Sequence, residues 1–542
     1  MNHQKSLTRR EFLKVSGSLA ALALASACSP APTPQPAASP TAPPKATAVP
    51  QPTTAAQPTV AAQPTIRRGG ILRVGHTAEV SSFDPGWITI EKAPFSAVIF
   101  STLIIQNPPG TPQPELATSW QYAPDRSYLE MKLRSGVKFH SGKDFTAKDV
   151  AFTFDHVKDP ATNSQLRGMF ANVTLEVVDP LTVRFKFNSP VPFIFDALEQ
   201  FWIVDEATVK DLPNKPNGTG PFKLVEWTVK SSTRLVRNEA YWKPGKPYLD
   251  EIRVLVLSDV PSMIANLESG NIDIAENIPS GELERLRKNP GLNILISRNM
   301  ALMYDFIFNC RSDYITKNKK LRQALSYAMD RKRYVEQVMF GAGVAKSSPW
   351  PPTSLAYDAE LDQTYTFNLE KAKALLAESG VAPNTEIELV GSTQTWPQPT
   401  KMAEIFQADL AKIGLRLKID DAESARWQQQ GSQGKFTMIA HAFAFAHKDP
   451  SLLASAFPWR LENNMSGYVN PQYTDLVNKA TIEPDPAKRK ELFKQMTQLM
   501  NEEQWVAVLS SAPSNWGLRS KVAGFGYSND NFQVHDDTWL TG

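Results

Sequence analysis

The chain has 542 residues, with 58 basic and 55 acidic side chains and a formal net charge of +3. This length exceeds what one hydrophobic core supports, so we expect two or three lobes. The balanced charge argues against a nucleic-acid partner, and the two cysteines, Cys28 and Cys310, predict neither a disulfide framework nor a zinc site.

Residues 1–28 have the pattern of an export signal. Arg9 and Arg10 precede a short apolar run at residues 15–25, which is too short to cross a membrane. The paired arginines and the Phe-Leu-Lys that follows resemble a twin-arginine signal. The run ends in Leu-Ala-Ser-Ala-Cys, which resembles a lipobox with Cys28 as the lipidation site, although alanine replaces the usual leucine. The same Ala-Ser-Ala also fits simple secretory cleavage.

Residues 29–68 predict a disordered tether, because they are rich in Pro, Ala, Thr and Gln and almost lack large apolar side chains. At about 3.1 Å per residue the extended tether would reach on the order of 100 Å. A tether directly after Cys28 favours lipidation there, since an anchored protein has something to be spaced from. A spacer without an anchor is the alternative. The anchor would hold the protein on the outer face of the cell membrane, in the periplasmic space where an outer membrane exists.

The globular part is organised around residues 116–156. Tyr128, Glu130 and Lys132 alternate with apolar residues, which is the period of a half-buried strand. Thr146, with Asp149 three residues later, predicts a capping box that opens an amphipathic helix. This strand, turn and capped helix form a structural unit that is not catalytic in type.

The same block resembles the signature of the family 5 extracytoplasmic solute-binding proteins, the peptide, opine and nickel receptors of ABC importers. The matching order is L-A-x-S-W, D-x-S-Y, K-L-R-x-G-V-K-F-H-x-G and F-T-A-x-D-V-x-F. The segments N-G-T-G-P-F-K-L from Asn217 and K-L-R-Q-A-L-S-Y-A-M-D from Lys320 are also similar to family elements. These motifs run from about Gly69 to about Tyr527.

The resemblance implies an α/β, periplasmic-binding-protein-like fold, with two large lobes joined by hinge strands and a smaller third subdomain. The expected order is lobe I at 69–107, the small subdomain at 108–215, lobe I again at 216–303, lobe II at 304–505, and a return to lobe I at 506–542. It also implies that the solute lies between the lobes, and that hinge closure presents it to an ABC permease and its ATPase. We expect a monomer.

Several local predictions can be checked against a structure. Gly270 is placed as the C-cap of a helix, and helices are predicted at residues 370–380, 402–414 and 486–503. In the segment from Lys320, four apolar residues fall at helical spacing and are predicted to be core: Leu321, Ala324, Leu325 and Ala328.

No enzymatic signature is found. The motifs G-x-S-x-G, H-E-x-x-H, C-x-x-C and G-x-x-x-x-G-K-S/T are all missing, so we predict no catalytic residue and no cofactor. A secreted hydrolase is the more distant alternative, because a glycosidase needs only two carboxylates.

We expect residues 436–450 to determine which solute is bound, because they resemble the strand and loop that bind ligand in the family. In its peptide receptors an aspartate of this loop pairs with the α-ammonium group of the peptide, and a buried ammonium group needs such a partner. Ala446 stands at that position here, and the family's Gly-Trp pair is replaced by Ala442 and Phe443. Asp449 of the Asp-Pro pair remains.

Three interpretations stay open. A peptide is bound if Asp449 or another acid takes over, whereas a solute without an α-amine, such as an oligosaccharide, would suit aromatic platforms. A metal site is disfavoured, because two histidines six residues apart lie roughly 20 Å from each other on a strand. For any single aromatic residue or histidine, a place in the core or facing solvent is the simpler interpretation. The candidate ligand-binding residues are Trp396, Trp427, His441, Phe443, Phe445, Ala446, His447 and Asp449.

Overall fold

The structure is a computed structural model that describes residues 66–86, 93–107, 110–162, 164, 166–297, 302–444, 449–528 and 532–541. All of them belong to one compact unit, Pro64–Gly542. The predicted export signal, Cys28 and nearly all of the predicted tether lie outside the described residues.

Strands and helices alternate along most of the chain. The strands are β1 (Ile71–His76), β2 (Ile104–Asn107), β3 (Thr111–Pro114), β4 (Ala117–Tyr122), β5 (Tyr128–Leu133), β6 (Val173–Asp179), β7 (Thr182–Phe187), β8 (Phe222–Thr228), β9 (Ser232–Arg237), β10 (Glu251–Val256), β11 (Ile274–Ala275), β12 (Leu292–Ile296), β13 (Leu302–Phe308), β14 (Val344–Ala345), β15 (Glu386–Gly391), β16 (Arg416–Asp421), β17 (Met438–Ala444), β18 (Val506–Ala512), β19 (Asn515–Arg519), β20 (Val522–Ala523), β21 (Gly526–Tyr527), β22 (Gln533–Val534) and β23 (Trp539–Leu540). The α-helices are α1 (Ala93–Ile99), α2 (Ala147–Lys158), α3 (Leu166–Met169), α4 (Ile194–Glu199), α5 (Val260–Ser269), α6 (Leu283–Arg287), α7 (Lys319–Tyr327), α8 (Arg331–Gln337), α9 (Leu369–Ser379), α10 (Pro397–Lys412), α11 (Ser424–Gln433), α12 (Pro471–Ile482) and α13 (Pro486–Glu503).

Three larger sheets define the three bodies of the molecule. Lobe I is built on a seven-stranded sheet of order β12-β19-β11-β1-β10-β9-β8, and lobe II on a six-stranded sheet of order β14-β18-β13-β17-β15-β16. Because β18 pairs with β13, residues 506–512 lie in the lobe II sheet, and the chain returns to lobe I after them and not at residue 506 as expected. The small subdomain is built on the four-stranded sheet β4-β5-β7-β6. The predicted fold class, α/β with two large lobes and a smaller third subdomain, is therefore confirmed.

The central strands of lobe II are covered on both faces. Every residue of β18 is buried, as are all residues of β13 after Leu302. A strand with no solvent-facing side cannot alternate apolar and polar residues, which explains the near-continuous apolar run of β13. The four residues predicted as core from helical spacing are fully buried against this sheet: Leu321, Ala324, Leu325 and Ala328.

Local signals place the ends of several elements correctly. Thr146 and Asp149 form the predicted capping box at the start of α2, and Gly270, with a φ of 83°, ends α5. The predicted start of one helix is wrong, since α10 begins at Pro397 rather than at Met402. Proline is tolerated in the first turn because its missing N–H has no helical partner there. Among the helices in the described ranges, none has the length and apolar character needed to cross a membrane.

The small subdomain is fastened to lobe I where the chain enters and leaves it. A Cβ atom on Gly218 would lie 2.0 Å from the carbonyl oxygen of Ile99, so close backbone approach, rather than a positive φ, requires glycine in the N-G-T-G segment. The imidazole of His140 donates from Nε2 to the carbonyl of Gly220 at 3.0 Å. Burial lowers the pKa of His140 to about 4, so its ring is neutral near pH 7.

Buried charges reinforce this junction. Nζ of Lys243, in lobe I, lies 2.6 Å from Glu115 of the small subdomain and 2.8 Å from Asp536 near the end of lobe I. Separating the two bodies would leave buried carboxylates without partners, which is costly.

We predict that Gly218→Ala destabilises the protein by about 3 kcal/mol, because the added methyl group collides with backbone that cannot move aside. Gly168→Ala is the matched control, since a Cβ there meets nothing within 4 Å, and we expect its midpoint to stay at the wild-type value. The measurement is chemical denaturation followed by circular dichroism. Equal midpoints for the two variants would contradict the close approach.

Candidate ligand site

The sheets of the two lobes are joined by two chain crossings that lie side by side. One leads from β12 to β13 and the other from β18 to β19. The N–H of Ser297 donates to the carbonyl of Ser514 at 2.9 Å, and the N–H of Ser514 donates to Oγ of Ser297 at 2.9 Å. Because the crossings are bonded to each other, they form one hinge.

The carboxyl ends of the parallel strands of both lobes face this hinge. In lobe I, β1, β10 and β11 are parallel, and β12 shares their direction because both it and β11 are antiparallel to β19. In lobe II, β15, β16 and β17 run together and are antiparallel to β13, which starts at the hinge. Ligands of open α/β sheets bind outside the carboxyl ends of the strands. The candidate ligand site is therefore the space between these two edges.

Polar side chains cluster at the lobe II edge, after β15 and β16. Oγ1 of Thr395 lies 3.2 Å from Oγ of Ser392 and 2.8 Å from Oγ of Ser424. Trp396, one of the predicted ligand residues, follows directly and is half-buried against both hydrophobic cores of lobe II. A few hydroxyl groups beside an aromatic ring are typical of small-molecule sites.

Three predicted ligand residues form one row on lobe II. The ring of His441 is nearly parallel to Trp427, with centroids 6.1 Å apart, and to Phe443, with centroids 6.4 Å apart. Trp427 and Phe443 are each only 9% exposed, and Nε1 of Trp427 donates to the carbonyl of Ala440 at 3.0 Å. Most of the surface of Trp427 and Phe443 therefore belongs to the hydrophobic core of lobe II. This agrees with the simpler interpretation that a single aromatic residue packs in the core.

Asp305 is a candidate site residue that the sequence analysis missed. It lies directly opposite His441 in the pairing of β13 with β17, is fully buried, and has Oδ1 3.3 Å from Nδ1 of His441. Asp305 and His441 come together only through the register of β13 with β17, and no local sequence motif predicts that register. Within the described ranges, no three His, Cys, Asp or Glu side chains come together as metal ligands.

Asp449 is hydrogen-bonded through both its carboxylate and its backbone N–H. Its carboxylate accepts from both terminal nitrogens of Arg489, at 2.7 and 3.0 Å, and from N–H and Oγ of Ser451, at 3.0 and 2.6 Å. Its own N–H donates to Oδ2 of Asp196 in the small subdomain at 3.0 Å. The other predicted residues of this loop lie outside the described residues: Phe445, Ala446 and His447.

Lobe I contributes a second acidic group that the sequence analysis missed. His76 ends β1, Glu276 directly follows β11, and Nδ1 of His76 contacts Oε2 of Glu276. Both side chains are almost completely buried, and Oε1 of Glu276 has no hydrogen-bond partner among the residues that the structure describes. The two residues are 200 positions apart in the sequence. No local motif connects them, and only the parallel pairing of β1 with β11 could have predicted their contact.

The sequence of this chain is similar to those of known proteins. Residues 111–458 match the family model described as bacterial extracellular solute-binding proteins, family 5 Middle. The chain is 30% identical over 461 residues to heme-binding protein A of Haemophilus influenzae, covering 77% of this chain and 82% of that protein. It is 27% identical over 454 residues to the dipeptide-binding protein of Escherichia coli, covering 76% and 83%.

A solved structure agrees with these matches. The ABC transporter-associated periplasmic binding protein DppA from Helicobacter pylori, in complex with the peptide STSA, is 28% identical with a TM-score of 0.74, over 88% of this chain and 99% of that one. The two edges beside one hinge are the arrangement that a solute-binding protein requires. The chain belongs to the bacterial extracellular solute-binding proteins of family 5.

Proposed function

We propose that this chain is a lipid-anchored receptor that captures an oligopeptide outside the cytoplasm and delivers it to an ABC importer, a permease with its ATPase. The observation that carries the proposal is the similarity to the Helicobacter pylori protein, which holds a peptide and matches 88% of this chain. The relatives from Escherichia coli and Pseudomonas aeruginosa that are named for dipeptides or tripeptides support the same class of solute.

The hinge supports capture by closure. A solute that contacts both edges favours the closed arrangement by its differential affinity for the two states. Backbone groups at the ends of the strands can hold an extended ligand, and side-chain pockets set the selectivity. In this mechanism the permease receives the closed form, and the protein carries out no chemistry on the solute.

A solute without an α-amine, such as an oligosaccharide, is the second candidate. Ala446 stands where peptide receptors of the family carry the acidic partner of the amine, and both carboxylate oxygens of Asp449 are bonded to Arg489. The half-buried ring of Trp396 is an available platform for a sugar ring. A secreted hydrolase is the remaining alternative.

We predict that a pool of short peptides raises the melting temperature of the purified protein, whereas a pool of oligosaccharides does not. A ligand at 100 times its dissociation constant stabilises the folded state by about 2.7 kcal/mol, which corresponds to a rise of a few degrees. The measurement is a thermal-shift assay with chromatography of the added compounds. A shift with sugars alone would favour the second candidate, and turnover of either pool would favour the hydrolase.

We predict that the tetrapeptide STSA and its N-acetylated form bind within about threefold of each other, because the carboxylate of Asp449 is already paired. Loss of a buried ion pair would instead weaken binding by about a hundredfold or more. Isothermal titration calorimetry of both peptides provides the comparison. A hundredfold preference for the free amine would show that another acid, such as Glu276 at the lobe I edge, captures the ammonium group.

We predict that Cys28→Ala releases the protein from the membrane fraction of expressing cells, because one lipidated cysteine would be the attachment point. Cys310→Ala is the matched control, since Cys310 lies in lobe II and packs beside its core. Immunoblots of membrane and soluble fractions provide the readout. Membrane association that survives Cys28→Ala would contradict the anchor.

A further inference from the structure

Among the residues that the structure describes, a hydrogen bond joins lobe II directly to the small subdomain. The N–H of Asp449, just after β17, donates to Oδ2 of Asp196 in α4 at 3.0 Å. Along the chain these two bodies are connected only through lobe I and the hinge. A contact between them therefore depends on the angle at the hinge.

The donor is held rigidly by lobe II. The carboxylate of Asp449 is clamped by both terminal nitrogens of Arg489, whose Nε donates to the carbonyl of Ala480 at 2.9 Å. The side chain of Arg489 is only 7% exposed. The direction of the Asp449 N–H is thus set by α12 and α13, independently of the small subdomain.

The acceptor is held equally firmly on the other side. Nε2 of Gln106, on β2, donates to Oδ1 of Asp196 and to Oε2 of Glu199, each at 3.1 Å. Ala197 and Leu198 anchor α4 in the core of the small subdomain. That subdomain is in turn fixed to lobe I by the buried charges around Lys243, so Asp196 moves with lobe I.

We propose that Asp196, Asp449 and Arg489 are positioning residues that form a closure latch between the small subdomain and lobe II. The latch is made in the arrangement described here and breaks when lobe II rotates about the hinge. Its acceptor, Asp196, lies in the small subdomain and not on a cleft edge, so the latch favours the closed form in addition to the contacts that a solute makes. The inference rests on the proposed function in so far as closure retains a solute.

Such a contact acts on release rather than on capture. It is formed only after the lobes close, so its loss leaves the association rate unchanged and accelerates dissociation. A hydrogen bond to a charged carboxylate predicts an effect of about tenfold. A purely structural role for Asp196 would instead lower the stability of the solute-free protein and leave the dissociation rate unaltered.

The test uses the full chain with Asp196→Ala. Asp144→Ala is the matched control, since Asp144 is an exposed carboxylate of the same subdomain that pairs with the nearby Lys138. We expect Asp196→Ala to speed hydrogen–deuterium exchange in solute-free protein for segments that contain the Asp449 N–H, with an unchanged melting temperature. Asp196→Asn, which retains an acceptor oxygen, should restore part of the protection. Identical exchange in wild type and Asp196→Ala would overturn the latch.

The second measurement is the dissociation rate of STSA by stopped flow. An increase of about tenfold in Asp196→Ala, with an unchanged association rate and no change in Asp144→Ala, supports the latch. A changed association rate with an unchanged dissociation rate contradicts it. If STSA does not bind at all, the exchange experiment still decides for or against the latch, and that failure counts against the proposed peptide function alone.

Discussion

The attachment of the small subdomain to lobe I is the constraint on which the rest of the molecule depends. Lys243 lies between two buried carboxylates, and the ring of His140 donates to the carbonyl of Gly220 across the junction. A buried ion pair is weak evidence for stability, but breaking one by separation leaves charges without partners. The two bodies are therefore held together, and the chain passes between the lobes at the crossings near Ser297 and Ser514.

Firm bodies on both sides of one hinge are an arrangement that suits a solute-binding receptor. The lobes need to change their angle while each edge of the cleft keeps its shape, and the row of Trp427, His441 and Phe443 keeps its shape because it is largely core. The hydroxyl groups near Thr395 and the acidic group of Glu276 differ in chemistry and lie on opposite lobes.

How far the sequence predicts this molecule depends on the range of each interaction. The capping box at Thr146, the C-cap at Gly270 and the core face of α7 rest on residues within one or two turns, and all were correct. The family resemblance supplied the three bodies, which no local pattern could. The pairs Asp305 with His441, His76 with Glu276, and Asp196 with Asp449 were beyond prediction, because each depends on a register or a contact between distant segments. The pairing of Asp449 with Arg489 has no local signal either, because the two residues are forty positions apart.

The position of β19 has a consequence for how the protein is made. This strand lies between β11 and β12 in the sheet of lobe I, and these two have no pairing with each other. All of lobe II is synthesised before residues 515–519 emerge from the ribosome. Lobe II can therefore fold while the sheet of lobe I still lacks β19, which connects β12 to β11. Until then β11 and β12 present unpaired edges, which are prone to association with other chains. The newly made protein therefore has the greatest need of a chaperone late in translation, until β19 joins β12 to the rest of the lobe I sheet.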